Sequence, residues 1–299
     1  MHNELFHIGN ITIYGYGLMI AIGILGAIFM ADLRAKKKGL SSDNMFWMAC
    51  IAAASGMVGA KLMYYITVLP EIIKDPSLLS NMQNGWVVYG GIIAGVLSCW
   101  IFCKVKKVRF SEYIDLAAPS VALAQGFGRI GCLLAGCCYG IQTDGACSIT
   151  FHNSAYAPNG VALFPSQPVS SILNFLNCII LLIFARKNKK GGRVIGLYML
   201  LYSVGRFIIE YYRGDLERGS VGIFSTSQFI SIFIFAAAVL ILWFGLEWMD
   251  SKKAVGPEAA EASEEECKEA SAEGNEVQES EMEETGAPAD GGDDGADGE

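Results

Sequence analysis

The chain has 299 residues, 53% of them hydrophobic and 17% charged, with a mean hydropathy of +0.38, which excludes an ordinary soluble globular domain and points to the membrane class. The net charge of −8 hides a segregation: residues 250–299 hold eighteen Asp and Glu against three Lys, whereas residues 1–249 hold twelve acids and nineteen bases. The two parts are different physical objects.

A hydrocarbon core about 30 Å thick is crossed by roughly 20 apolar residues in a helix. Seven stretches meet that length, at 12–33, 46–69, 86–104, 113–136, 168–185, 194–212 and 224–246. The first is not read as a cleavable signal peptide, because its basic segment RAKKK follows the apolar run instead of preceding it. Connections after the first, third and fifth stretches carry RAKKK, KVKKVR and RKNKKGGR, thirteen bases together, while the opposite side has Lys74, Arg213 and Arg218. Because Lys and Arg accumulate in cytoplasmic loops, the N-terminus is predicted outside and the C-terminus cytoplasmic. The expected fold is therefore an all-α integral membrane protein with seven transmembrane helices over residues 1–249. The outer connection 140–167 lacks Lys and Arg and is long for a connection, which makes it a candidate functional segment as well as a plain loop. Residues 250–299 combine like charge with low hydrophobicity, so an acidic disordered cytoplasmic tail is predicted there.

Ionisable side chains inside a span are costly and usually face a protein-lined or wet cavity. Lys61, Arg129, Arg206 and Glu210 are of this kind. The stretches bearing the three cations run from inside to outside, so each cation falls about two-thirds along, in the outer half. Tyr16 and Tyr89, near the starts of the first and third stretches, reach that same layer. An interfacial aromatic belt is an equal reading for the tyrosines, as is snorkelling for Lys61. Arg206, Glu210 and Arg213 are spaced i, i+4, i+7, on one helix face, where Arg206 and Glu210 can pair. Arginine's planar fork of donors suits a phosphate better than lysine's point charge. Gly126, Gly128, Gly131, Gly136 and Gly140 allow either tight helix packing or room beside Arg129 for a polar head group. Two arginines on different helices beside glycine-lined space describe a site for an anionic lipid phosphate. They do not name a reaction.

The nine cysteines sit mostly in apolar runs, where cysteine acts as a small hydrophobe. Cys132, Cys137, Cys138 and Cys147 lack a usual zinc-ligand spacing, and no metal is expected; a disulfide from Cys137 or Cys138 to Cys147 is left open.

The stretch GRIGCLLAGCCYG at 128–140, with YGYGLM early and YSVGRFIIEYYRGD late, resembles the prolipoprotein diacylglyceryl transferase family, over residues 8–246. Its signature, G-R-x-G-N-F-x-N-G-E-x-x-G, is met by Gly128, Arg129, Gly131, Gly136 and Gly140. The resemblance implies transfer of the diacylglyceryl group of phosphatidylglycerol to the lipobox cysteine thiol of a prolipoprotein, with a thioether formed and glycerol 1-phosphate released. It implies as partners phosphatidylglycerol, prolipoprotein signal peptides with a lipobox Cys and membrane lipids, in a bacterial plasma membrane, with no cofactor and no nucleic acid. By position it makes Arg129 and Arg206 the residues that hold phosphate and stabilise the leaving group. Tyr16, Gly131, Gly136 and Gly140 are placed with the lipid, and Glu210, Arg213, Lys61, Asp115 and Gln167 in support, Gln167 following Pro165 in a P-x-Q motif. Tyr89 stands where the family commonly has a histidine, and is assigned a catalytic hydrogen bond. Cys132, Ala135 and Cys137 stand where the signature has Asn, Asn and Glu. Two other readings stay open: a same-fold paralogue that binds anionic lipid without this activity, and a small-anion transporter.

Overall fold

The computed structural model describes residues 4–8, 11–75, 85–145, 147–188, 190–215 and 220–250. An antiparallel hairpin, β1 (Glu4–Ile8) and β2 (Ile11–Tyr14), leads into α1 (Gly15–Lys37). Then come α2 (Ser42–Thr67), the short α3 (Leu69–Lys74), α4 (Val88–Lys106) and α5 (Phe110–Ala135). A second hairpin, β3 (Ile149–Thr150) and β4 (Ala162–Leu163), precedes α6 (Ser166–Lys187) and α7 (Arg193–Glu210). A third, β5 (Ser220–Val221) and β6 (Phe224–Ser225), precedes α8 (Thr226–Phe244).

Local chemistry sets these limits. Ser41 accepts from the Asn44 amide to start α2, and Ser225 with Gln228 forms a capping box at the head of α8. α5 ends where Gly136 takes a left-handed conformation, φ 74°. Each of the seven apolar stretches read from sequence coincides with one long helix, within four residues at either end. Five of these helices, α1, α2, α4, α6 and α8, are long and apolar enough to cross a membrane. The other two long helices, α5 and α7, carry Arg129 and Arg206. Their outward positions are apolar, as in Leu25, Phe29, Val58, Val105 and Trp243 of the apolar set, all more than half exposed. That is the reverse of a water-soluble bundle and matches a lipid surround.

Helices pair closely where side chains are small. α2 packs on α4 through Gly56, Gly59, Gly90 and Gly91, and the Ser55 and Ser98 hydroxyls meet across the seam at 2.6 Å. α1 packs along α5, α5 along α6, and α7 along α8. A Cβ added at Gly59 would lie 2.6 Å from the Gly90 carbonyl oxygen. Gly59→Ala is therefore expected to cost roughly 1–3 kcal/mol, as overpacking does, read as a lower unfolding temperature in detergent.

Buried cores mark the end of the bundle where the basic connections lie. Ala35, Met48, Cys103, Phe110, Tyr113 and Leu116 join α1, α2, α4 and α5, and Ala118, Cys178, Leu181, Val194 and Tyr198 join α5, α6 and α7. There Asp115 accepts from the Gly192 and Ile195 amides at 2.9 and 2.8 Å, capping α7. Asp250 likewise accepts from the amide and hydroxyl of Ser111, at 2.9 and 2.6 Å, in the first turn of α5. Asp250, the first residue of the acidic segment, is thereby tied to the bundle. The rest of the acidic segment lies outside the described residues. At the other end, the connection 140–167 is no open loop: Phe151, Ala157 and Leu163 are buried, with Leu133, Tyr139 and Val161 packed around them.

Candidate functional site

Between α5, α6 and α7 lies a cavity of about 160 Å³. Arg129 and Arg206 both face it, with Ser170, Asn174 and Asn177 of α6 and Tyr202 and Gly205 of α7. Ser170, Asn174 and Asn177 recur at i, i+4, i+7, a polar stripe along one face of the helix. Sequence reasoning passed over them because none is ionisable, although that spacing was the available signal. Asn177 is 5% exposed, and its side-chain oxygen lacks a hydrogen-bond partner among the described residues.

The two arginines are held differently. Arg206 lies 2.6 Å from Glu210, an ion pair without hydrogen-bond alignment, and donates to Ser227 Oγ at 2.7 Å. Ser225 Oγ donates to the other Glu210 oxygen at 2.9 Å, so the head of α8 holds Glu210 and Glu210 holds Arg206. Arg129 is half-buried, and among the described residues nothing accepts a hydrogen bond from its guanidinium or forms an ion pair with it. A cation in such surroundings, with Arg206 adding positive potential, has the charge to attract an anion.

Arg213 departs from expectation. α7 ends at Glu210, so the i+7 position is off the helix, and Arg213 forms a two-point pair with Asp215, at 2.8 and 2.6 Å. Its burial opposes the charged form, and the Asp215 carboxylate outweighs that and raises its pKa. It therefore does not pair with Glu210. Its segment bridges to the turn after α5, with Ile141 N donating to Tyr212 O and Gly214 N to Tyr139 O, both at 3.0 Å.

Three glycines assigned to the lipid serve packing instead. Gly131 lies against Tyr16, where an added Cβ would come within 3.2 Å of its ring and carbonyl oxygen, Gly136 forms the left-handed turn beside Ser154, and Gly140 abuts Phe164. Gly128 and Gly205 both face open space. Tyr16, on α1, contacts α5 at that turn without lining the cavity.

Lys61 and Tyr89 belong to the α2–α4 pair, which makes no extensive contact with α6 or α7 among the described residues. Lys61 is 7% exposed and sits over the rings of Tyr64, Tyr65 and Trp86, at 5.0, 5.0 and 5.5 Å. Neither residue lines the cavity. Equal depth in the bilayer was legible from sequence; which helices are neighbours was not. Gln167 and Asp115 act through backbone: Gln167 donates to Cys137 O at 2.9 Å, next to Ser166 donating to Cys138 O at 2.8 Å, while Asp115 caps α7, the helix of Arg206.

Among the described residues none of the eight cysteines is in a disulfide, and Cys147 is exposed. The disulfide left open at that residue is not formed.

Comparison with known proteins bears on the family. The family profile described as prolipoprotein diacylglyceryl transferase matches residues 3–244. A Clostridium tetani protein named phosphatidylglycerol–prolipoprotein diacylglyceryl transferase is 47% identical over 241 residues, 81% of this chain and 96% of its own length. A Clostridium perfringens protein of that name, numbered 2, is 42% identical over 257 residues, 86% of this chain and 99% of its own. A Clostridium botulinum relative is 36% identical over 233 residues, 76% and 90% of the two chains. With a profile spanning the whole helical region and relatives matched nearly end to end, this chain belongs to the prolipoprotein diacylglyceryl transferase family.

Proposed function

We propose that the chain transfers the diacylglyceryl group of phosphatidylglycerol to the lipobox cysteine of prolipoproteins, with the reacting phosphate held between Arg129 and Arg206. The observation that carries the site assignment is the half-buried Arg129 guanidinium, unpaired among the described residues, in the same cavity wall as Arg206. The relatives' names supply the two substrates.

The reaction then needs little from the protein beyond placement and charge. The thiolate sulfur attacks the glycerol carbon that bears the phosphate ester, a C–S bond forms and the C–O bond breaks. Its electrons leave on glycerol 1-phosphate, and the thiol's proton is given up to solvent. Negative charge grows on the departing phosphate oxygen, next to two guanidinium groups in a site of low dielectric, where fixed charge acts most strongly. Glu210 keeps Arg206 aimed without cancelling Arg129. Tyr89, remote from this cavity, has no part in this reading, and the same holds for Lys61.

The reading includes seven membrane crossings, with α5 and α7 joining the five more apolar helices, and a plasma-membrane location. Arg129 of α5 and Tyr202 and Arg206 of α7 line the cavity, whereas Asp115 of α5 caps α7. The N-terminus lies outside, because the thirteen bases fall at 34–38, 104–109 and 186–193, all on one side.

Purified protein given phosphatidylglycerol and a lipobox peptide is expected to add one diacylglyceryl group to the peptide cysteine, seen by mass; no adduct overturns the reading. A Cβ added at Gly205 meets no atom within 4 Å, so Gly205→Leu extends into the open space of the cavity. It is expected to leave folding intact while raising the KM for phosphatidylglycerol at least roughly tenfold, the effect of about 1.4 kcal/mol in binding.

A further inference from the structure

Cys132, Cys137 and Cys138 are scattered by sequence spacing, yet their three Sγ atoms lie within 4.8 Å of one another. The turn that ends α5 brings this about. Cys132 sits in the last turn of the helix, Gly136 reverses the chain in the left-handed region, and Cys138 follows at φ 59°, also left-handed. A residue with a Cβ seldom adopts that conformation unless its surroundings hold it. Here they do. Cys137 N donates to Cys132 O at 3.1 Å, Gln167 holds the carbonyl of Cys137, and Ser166 that of Cys138. The backbone behind the sulfurs is thus fixed on three sides before any ligand arrives.

We propose that these three cysteines form a binding site for one thiophilic d10 metal ion, of the class of Zn(II), Cd(II) and Cu(I). A metal–sulfur bond of about 2.3 Å requires sulfurs about 3.8–4.0 Å apart in tetrahedral or trigonal arrangement. The observed separations are within reach of that by rotation about χ1. Soft thiolate donors select such ions over harder ones. A divalent ion bound by three cysteines displaces three protons and leaves a centre of net charge −1. Arg213, which contacts the Cys138 thiol, and Arg129, also near it, are placed to offset that charge. All three cysteines are partly exposed, so an ion has a way in.

The site adjoins the transferase reading through Arg129, and its test does not use activity. The full-length protein in detergent, reduced with a phosphine, is titrated with Cd(II). A thiolate-to-metal charge-transfer absorption is expected to rise and saturate at one ion per chain. Mass mapping of alkylation is expected to show Cys132, Cys137 and Cys138 protected together, with Cys50 and Cys147 still modified. The band is expected to disappear in Cys137→Ser and to persist in Cys147→Ser. Absence of a saturating band, protection that misses any one of the three, or a band surviving Cys137→Ser would overturn the proposal. Mapping uses the unaltered protein, so the outcome does not depend on whether the serine variant folds.

Discussion

Replacing Arg129 by alanine is expected to reduce diacylglyceryl transfer about 10²–10³-fold, the usual loss when one preorganised donor to a developing anion is removed. The variant should still insert and should unfold at the same temperature. The reason is specific to this residue: its guanidinium forms no hydrogen bond or ion pair among the described residues, so its removal breaks none. Arg129→Lys keeps the charge and loses the planar fork, so partial activity is expected, above alanine and below arginine. The measurement is kcat with the phosphatidylglycerol and lipobox-peptide assay beside a melting curve. Near-normal turnover in Arg129→Ala would refute the assigned role, whatever the melting curve shows.

Glu210→Ala should behave in the opposite way, losing stability and activity together. Glu210 and Arg206 are 8% and 11% exposed, and removing one partner of a buried pair commonly costs about 3–5 kcal/mol, because the other charge is left uncompensated. The loss also frees Ser225, the residue that caps α8, and so loosens the seam between α7 and α8. Glu210→Gln keeps an acceptor for Ser225 while removing the charge, and is expected to fall between. An unchanged unfolding temperature in Glu210→Ala would show that the pair contributes nothing to the fold. The contrast between Arg129 and Glu210 is the useful result: one position is built for a ligand and the other for its neighbour.

How far such roles could be read in advance depended on the range of the interaction. The seven long helices are local, since an apolar run of sufficient length folds as a helix in lipid whatever surrounds it. The pair Arg206–Glu210 is also local, one helical turn apart, and it is formed. Arg213 is where the local rule failed, because the i+7 spacing assumes the helix continues and α7 stops at Glu210. Lys61 and Tyr89 failed for another reason: depth in the bilayer is computed along one helix, whereas meeting the arginines requires the right neighbour. Their helices close on each other through Gly59 and Gly90 instead. The glycines in GRIGCLLAGCCYG misled in the same way, since a missing side chain says that something comes close without saying what. For Gly131 it is Tyr16, and for Gly140 it is Phe164.

The sequence by itself determined the membrane class, the helix positions, the charge asymmetry of the loops and the motif that marks the family, because each is written in hydropathy, charge or short-range spacing. Only the tertiary structure decided that Arg129 and Arg206 share one cavity with a polar face of α6, that Asp115 serves α7, and that three cysteines converge. Those facts depend on which helix packs on which and on where a left-handed turn sends the chain. Interhelical packing is set by the summed fit of small residues along whole seams, a quantity that no single stretch of sequence contains.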